Sequence, residues 1–318
     1  MPVLFLNEND VSQVLTMEMA MEGVESALRK MAIEEAFNIP RSRCQTDHTV
    51  LHVLAAAAKS LGVIGYKSYT TNRRGTRFHV TIYDGKTGEM LSLMQADQLG
   101  RMRTGAASAI ATKYLARENV KSLGVFGSGK QAKTQILGIC KVRPIEQVTV
   151  YSPTPSNCQA FAQEMTSLIQ LPVHAVSDPS LAAINQDIIA TATTSRDPVL
   201  FGNWLSPGTH LNIIGSNFLA KREVDTETVK RCQRIAIDHE EQARIEAGDF
   251  VEPLREKIIN WSDLAELGRI ITGRTHGRKS PEDITMFKSL GIGLEDIAVA
   301  IRVFHAAKDK NIGQWIDL

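Results

Sequence analysis

Apolar residues fall at helical spacing through Val14, Met17, Met21, Val24 and Leu28, which predicts one amphipathic helix capped by Asn9. After Phe37 and the irregular Ile39-Pro40-Arg41-Ser42-Arg43 the rhythm shortens. Residues 50–55, 61–66, 78–83 and 90–94 read as strands, with Asp84-Gly85 as a turn, so an antiparallel or mixed sheet carrying one long helix is expected. Residues 95–117 return to a helix rich in alanine, with Ala106, Ile110 and Tyr114 at helical spacing. Arg103-Thr104-Gly105 falls in its expected first turn, where an arginine and free backbone N–H groups can face one anion together. Close packing accounts for the alanines there but not for Arg103.

From Val120 the pattern alternates between strand and helix. Strands are expected at 123–126, 147–151, 172–176, 187–192, 210–214 and 234–238, with a helix over 156–168. Such alternation is the mark of an α/β fold with a doubly wound parallel sheet. Near the C-terminus Leu294, Ile297, Ala298, Ile301 and Phe304 line one face of a last helix, preceded by a loop at 287–291. The expected division is an α+β domain of residues 1–116 and 299–318 beside a Rossmann domain of 117–298.

The strand ending at Phe126 runs directly into Gly127-Ser128-Gly129-Lys130-Gln131-Ala132 and then a helix. This G-x-G-x-x-A order suits a dinucleotide pyrophosphate: Gly127 for the turn, Gly129 for close approach of the backbone, Ala132 for helix-on-strand packing. The helix N-terminus adds unpaired N–H groups. An acid normally follows about 20 residues later to take the ribose hydroxyls. Here that strand leads into Ser152-Pro153-Thr154, without an acid for NAD or an arginine for the NADP 2′-phosphate. Both cofactors stay open, and the lack of a nearby cation favours NAD. Thr193, and Ile213-Ile214 before Gly215-Ser216-Asn217, end later strands where such sheets bind ligands.

Several cations of the first half sit oddly for a structural sheet. Arg41 follows a proline, Lys67 ends a strand, and Arg73, Arg74, Arg77 and His79 crowd the entry to the next. A solvated, charge-rich loop is one account of them, and an anion site the other. Net charge is +1 over 318 residues, which gives no electrostatic case for nucleic acid or a membrane surface. No stretch approaches the length of a membrane span, and a cytoplasmic protein is expected. Cys44, Cys140, Cys158 and Cys232 are scattered without a C-x-x-C pair, so free thiols are expected, with no metal site.

Taken together, these residues resemble the ornithine cyclodeaminase and mu-crystallin family along nearly the whole chain. The points of similarity are Ile39-Pro40-Arg41, Gly65-Tyr66-Lys67, Arg103-Thr104-Gly105-Ala106, Tyr114 to Arg117, Gly127 to Gln131, Gly215-Ser216-Asn217 with Arg222-Glu223, and Phe287 to Gly291 with Glu295-Asp296. The resemblance implies a homodimer in which the first domain and the C-terminal helix bind a small imino or amino acid and the Rossmann domain holds NAD(H) or NADP(H). It further implies that Arg41, Lys67 and Arg103 clamp the substrate carboxylate, with Lys67 as a candidate proton donor. Cofactor contacts would fall on Lys130, Gln131, Ser152, Thr193, the strand end at Ile213 and Ile214, Lys221, Ser289 and Leu290.

One departure matters. Cyclodeaminases of this family carry an aspartate where this chain has Asn217, and an amide cannot take up a proton as a base. Ornithine cyclodeamination is therefore disfavoured. Reduction of an imine to an L-amino acid is expected instead, with iminosuccinate to aspartate as the first candidate. In that reading Arg74, Arg77 and His79 hold a second carboxylate, while His79 as a satisfied sheet residue stays an equal alternative. Alanine dehydrogenase, cyclic ketimine reductase and a mu-crystallin-like binding protein are the other readings.

Overall fold

The computed structural model describes residues 2–317. Strand β1 (Val3–Leu6) leads into α1 (Glu8–Val14) and α2 (Met17–Met31). A run of strands follows: β2 (Ala36–Asn38), β3 (Ser42–Gln45), β4 (Val50–Ala58), β5 (Val63–Asn72), β6 (Gly75–Asp84) and β7 (Met90–Gln95). Helix α3 (Asp97–Leu115) precedes β8 (Ser122–Phe126), α4 (Lys130–Val142), β9 (Gln147–Tyr151), α5 (Pro155–Ile169), β10 (Val173–Val176), β11 (Ile188–Thr191) and β12 (His210–Ile213). Short elements come next: α6 (Thr226–Lys230), β13 (Arg234–Ile237), α7 (Glu240–Glu246), α8 (Val251–Arg255), β14 (Leu264–Glu266) and α9 (Leu267–Ile271). The chain closes with β15 (Thr285–Lys288), α10 (Gly293–Asp309) and β16 (Gln314–Ile316).

Two compact units emerge, one of Met1–Ala106 with Gly291–Leu318 and one of Ala107–Leu290. These divisions differ from those at 116/117 and 298/299. A break after residue 298 would cut α10 in mid-helix, whereas all of α10 belongs to the first unit.

In the first unit the sheet runs β16-β1-β7-β6-β5-β4, with β2 and β3 both pairing the far side of β4. Among the described residues of this unit only β1 and β7 pair in parallel. The sheet is thus mixed, and four strands of three or four residues (β1, β2, β3, β16) join the four longer ones expected. Helix α10 packs on α2, β4 and β5. The first expected helix is two helices, although its apolar rhythm is unbroken. Asn7, not Asn9, caps α1 in a reciprocal box with Asp10, and the Thr16 hydroxyl caps α2 by accepting from the Met19 N–H.

The second unit holds eight parallel strands in the order β10-β9-β8-β11-β12-β15-β13-β14. This is the doubly wound arrangement, and its order reverses between β8 and β11. Both faces are covered, so β8 and β11 are buried at every position. Phe126, Ile189 and Leu211 pack in one core cluster, and Val125, Ile136, Val148 and Phe161 in the other. The sequence reading of 287–291 as a loop is corrected, because Phe287 and Lys288 complete β15, which inserts between β12 and β13. Among the described residues no helix is long and apolar enough to cross a membrane. The four cysteines are unbridged.

Candidate active site

Three of the cations named from the sequence converge in the first unit. Lys67 leaves β5 on the face that α10 covers, and its Nζ lies 2.8 Å from Asp296 Oδ1. Arg103 reaches the same oxygen through Nε at 3.1 Å and Glu295 Oε2 through Nη1 at 3.1 Å. Arg41 donates to the Gly291 carbonyl at 2.9 Å. Gly100 lets α3 lie close to Lys67, since a Cβ there would sit 2.7 Å from Nζ and displace the ammonium. All five charged side chains are buried.

Among these five residues three positive charges face two negative ones, a balance suited to one further anion. Burial pushes Lys67 down to about 8, with Arg103 and Arg41 adding to the effect and Asp296 opposing it. Such a lysine can give up and regain a proton near neutral pH. Burial works against ionisation of Asp296, yet Arg103 and Lys67 hold its carboxyl below the usual carboxylate range. In the sequence Glu295 and Asp296 figure only as part of a motif. Their signal lay in two adjacent acids among Leu294, Ile297 and Ala298 on an otherwise apolar helix, a place where unpaired charge is costly.

Two expectations change at this site. Arg103 lies beyond the first turn of α3, which begins at Asp97, so it contributes its guanidinium without free helix N–H groups. His79 and Arg77 oppose Ser68 and Thr70, whereas Lys67 opposes Val80. Successive side chains alternate across a strand, so His79 and Arg77 point to the opposite face of the sheet from Lys67. Arg74 is exposed in the turn between β5 and β6.

In the second unit the candidate cofactor residues gather at the carboxyl edge of the parallel sheet. Gly127 adopts φ +113°, and a Cβ there would lie 2.6 Å from the Ala192 carbonyl, so the turn excludes other residues. Gly129 is the N-cap of α4, and a Cβ on it would meet nothing within 4 Å. Among the described residues no side chain caps α4. An open approach to an uncapped helix start fits a pyrophosphate. Lys130 and Gln131 open that helix, and Ser152 follows β9 with its hydroxyl 2.9 Å from that of Ser128. Thr193 follows β11, and Lys221 lies in the loop after β12 that also carries the half-buried Asn217. Ile213 is fully buried, which leaves its backbone and Ile214 at the edge. Ser289 and Leu290 follow β15, where the Leu290 N–H donates to Asp238 Oδ2 at 2.6 Å.

Beneath that edge lies a charged cluster that sequence reasoning missed. Glu223 is fully buried and accepts from the Thr193 N–H at 2.7 Å, the Gly215 N–H at 2.6 Å and the Thr191 hydroxyl at 2.8 Å. Asp249 accepts from the Glu223 N–H at 2.7 Å and pairs with buried Lys288 at 2.8 Å, which donates to the Ser216 carbonyl at 2.8 Å. Burial, with Asp249 nearby, pushes the Glu223 carboxyl up against the pull of Lys288. These bonds tie together the loops after β11 and β12 and the end of β15, and so hold Thr193 and Gly215-Ser216 in place.

The profile of the ornithine cyclodeaminase/mu-crystallin family matches residues 2–311. The chain belongs to this family. Among family relatives, the iminosuccinate reductase of Paracoccus denitrificans is 30% identical, over 99% of this chain and 100% of that protein. A solved Thermococcus litoralis Delta(1)-pyrroline-2-carboxylate reductase in complex with NADH and L-proline is 31% identical with a TM-score of 0.94, covering 99% of this chain and 100% of that one. An archaeal alanine dehydrogenase dimer with bound NAD is 30% identical, also with a TM-score of 0.94, over 100% of both chains.

Proposed function

We propose that this chain is an NAD(H)-dependent oxidoreductase that reduces the C=N bond of a small 2-imino acid to the L-amino acid. The observation that carries this reading is the buried clamp, in which Arg41, Lys67 and Arg103 outnumber Glu295 and Asp296 beside a lysine with a near-neutral pKa. Bound at the Gly127 edge, NADH would supply the hydride. The chain's own part is to fix the substrate carboxylate by charge-assisted hydrogen bonds and to deliver a proton from Lys67 Nζ to the nitrogen. Asn217 offers an amide that orients a polar group without acting as a base.

The second-carboxylate argument for iminosuccinate loses Arg77 and His79, which face away from the clamp. Iminosuccinate therefore stands beside the imine of pyruvate and cyclic imines as a candidate substrate. The Ser152-Pro153-Thr154 stretch after β9 offers no arginine for a 2′-phosphate, so NADH is the expected reductant and NADPH a permitted one. The deciding assay follows NADH and NADPH oxidation with oxaloacetate or pyruvate plus ammonium, and with cyclic 2-imino acids. Saturable oxidation with at least one imine is expected. Silence with all of them, together with saturable binding of a small aromatic ligand, replaces the enzyme with a binding protein.

A homodimer belongs to the same proposal. Opposite the clamp, Phe37, Ala57, Ile64 and Tyr83 oppose one another across β2, β4, β5 and β6, and Leu51, Val53 and Ala55 continue the apolar face along β4. Phe37 is 47% exposed and Ile64 43%, and with their neighbours they form a contiguous apolar face. A second copy laid on this face would bury it. Ile64→Glu is expected to give a monomer in sedimentation experiments where the unaltered chain gives a dimer.

A further inference from the structure

We infer that buried Glu223, Asp249 and Lys288 form an anionic cluster under the nicotinamide end of the cofactor, and that its charge favours the oxidised, cationic ring over the reduced, neutral one. Glu223 is then a positioning residue that also sets how readily bound NADH gives up its hydride. This rests on the NAD(H) reading of the Gly127 edge.

The sheet order places the cluster. Strands β10-β9-β8 and β11-β12-β15 are the two mononucleotide halves of a dinucleotide fold, meeting where the order reverses. The glycine turn follows β8 and Ser152 follows β9, so the adenosine side of the cofactor belongs to the first half. The nicotinamide mononucleotide therefore falls to the second. There Glu223 bonds to Thr191, Thr193 and Gly215 at the ends of β11 and β12, and Lys288 is the last residue of β15.

The charges within the cluster do not cancel. Lys288 pairs with Asp249 at 2.8 Å, whereas the partners of Glu223 are neutral donors, two backbone N–H groups and one hydroxyl. Each oxygen of Glu223 accepts a backbone N–H, at 2.7 and 2.6 Å, and such contacts favour the ionised form. Two carboxylates and one ammonium leave one net negative charge. Gly215 brings the edge down onto it, since a Cβ there would collide with Glu223 Oε1 and the Thr193 backbone. The Thr193 N–H points at the carboxylate, so the Ala192 carbonyl across the same trans peptide turns its negative end the other way, toward the Gly127 turn.

The two redox states of the cofactor feel this charge differently. Loss of hydride takes the nicotinamide ring from neutral to singly positive, while the pyrophosphate and both riboses are unchanged. A buried charge is screened little by solvent, so it attracts the oxidised ring and leaves the reduced ring nearly unaffected. Positioning through the loop backbone serves both states alike and would alter both affinities together. Only charge divides them. During imine reduction the positive ring forms as hydride leaves, and the cluster favours that direction.

The test uses the full-length protein at about pH 8 without substrate, reading NADH binding by its fluorescence and NAD+ binding by displacement of NADH. Glu223→Gln is expected to weaken NAD+ binding about 10-fold more than NADH binding. For a two-electron couple that raises the potential of the bound cofactor by about 30 mV. Glu223→Asp keeps the charge but withdraws the carboxylate from the loops, so both affinities should fall by the same factor and their ratio should hold. Asp249→Asn removes the other negative charge and should shift the ratio in the same direction as Glu223→Gln; it decides the matter if the glutamine variant does not fold. An unchanged ratio in the amide variants, or an equal shift in Glu223→Asp, would overturn the inference while leaving the cofactor reading standing. Absence of saturable NADH binding in the unaltered chain would remove the cofactor reading itself.

Discussion

Lys67→Met is expected to lower kcat/KM for imine reduction by roughly 1000-fold while NADH binding, followed by fluorescence, stays within about a factor of two. In the proposed mechanism two losses combine in that figure: one of three cations on the carboxylate, and the proton donor to nitrogen. Thioether replaces ammonium at similar length, so packing around Phe78 and α3 is largely kept. The pH profile separates the two roles. Lys67 must be protonated to donate, and burial sets its pKa at about 8. Reduction by the unaltered chain should hold steady below pH 8 and fall about tenfold per pH unit above it. The oxidative direction, which needs the free amine, should rise with pH and level off above 8. Lys67→Met should lose this limb from both profiles. Near-normal turnover in that variant would exclude Lys67 from the chemistry.

Asp296→Asn has its largest effect on stability. Asp296 is fully buried and accepts from both Lys67 and Arg103, so the amide leaves two buried cations with one carboxylate fewer. Breaking such a buried pair costs about 3–5 kcal/mol, which denaturant titration resolves readily. The sign with pH follows from the depressed carboxyl. Its contribution is complete above the unfolded value near 4 and is lost as the pH falls through the lower folded value. The unaltered chain should lose stability across that acid window, and Asp296→Asn should lose less there. An equally stable variant would show that Lys67 and Arg103 find other counter-charges.

How much of this was legible beforehand depended on whether the signal was local. The alternation after Val120 and the glycine loop revealed the parallel sheet, because a strand meeting a tight glycine turn and a helix is written in consecutive residues. Arg41, Lys67 and Arg103 stood out as cations that their local elements did not need, and the structure brings them together. Their counter-ions did not stand out, since Glu295 and Asp296 look like ordinary acids in the first turn of a helix. Lys288 was hidden in the same way, being a charged residue in a strand of four buried positions. His79 shows the converse failure. It is close to Lys67 in sequence and in the sheet, but period-two alternation turns it away once the register with Ser68 is known.

The charge surplus in the clamp has a practical consequence. If the clamp holds the imino acid as proposed, its three cations and two carboxylates are expected to accept other small monovalent anions as well. Acetate, formate and chloride would then act as competitors, so buffer salts set the apparent affinity, and catalysis is best measured in bulky sulfonate buffers.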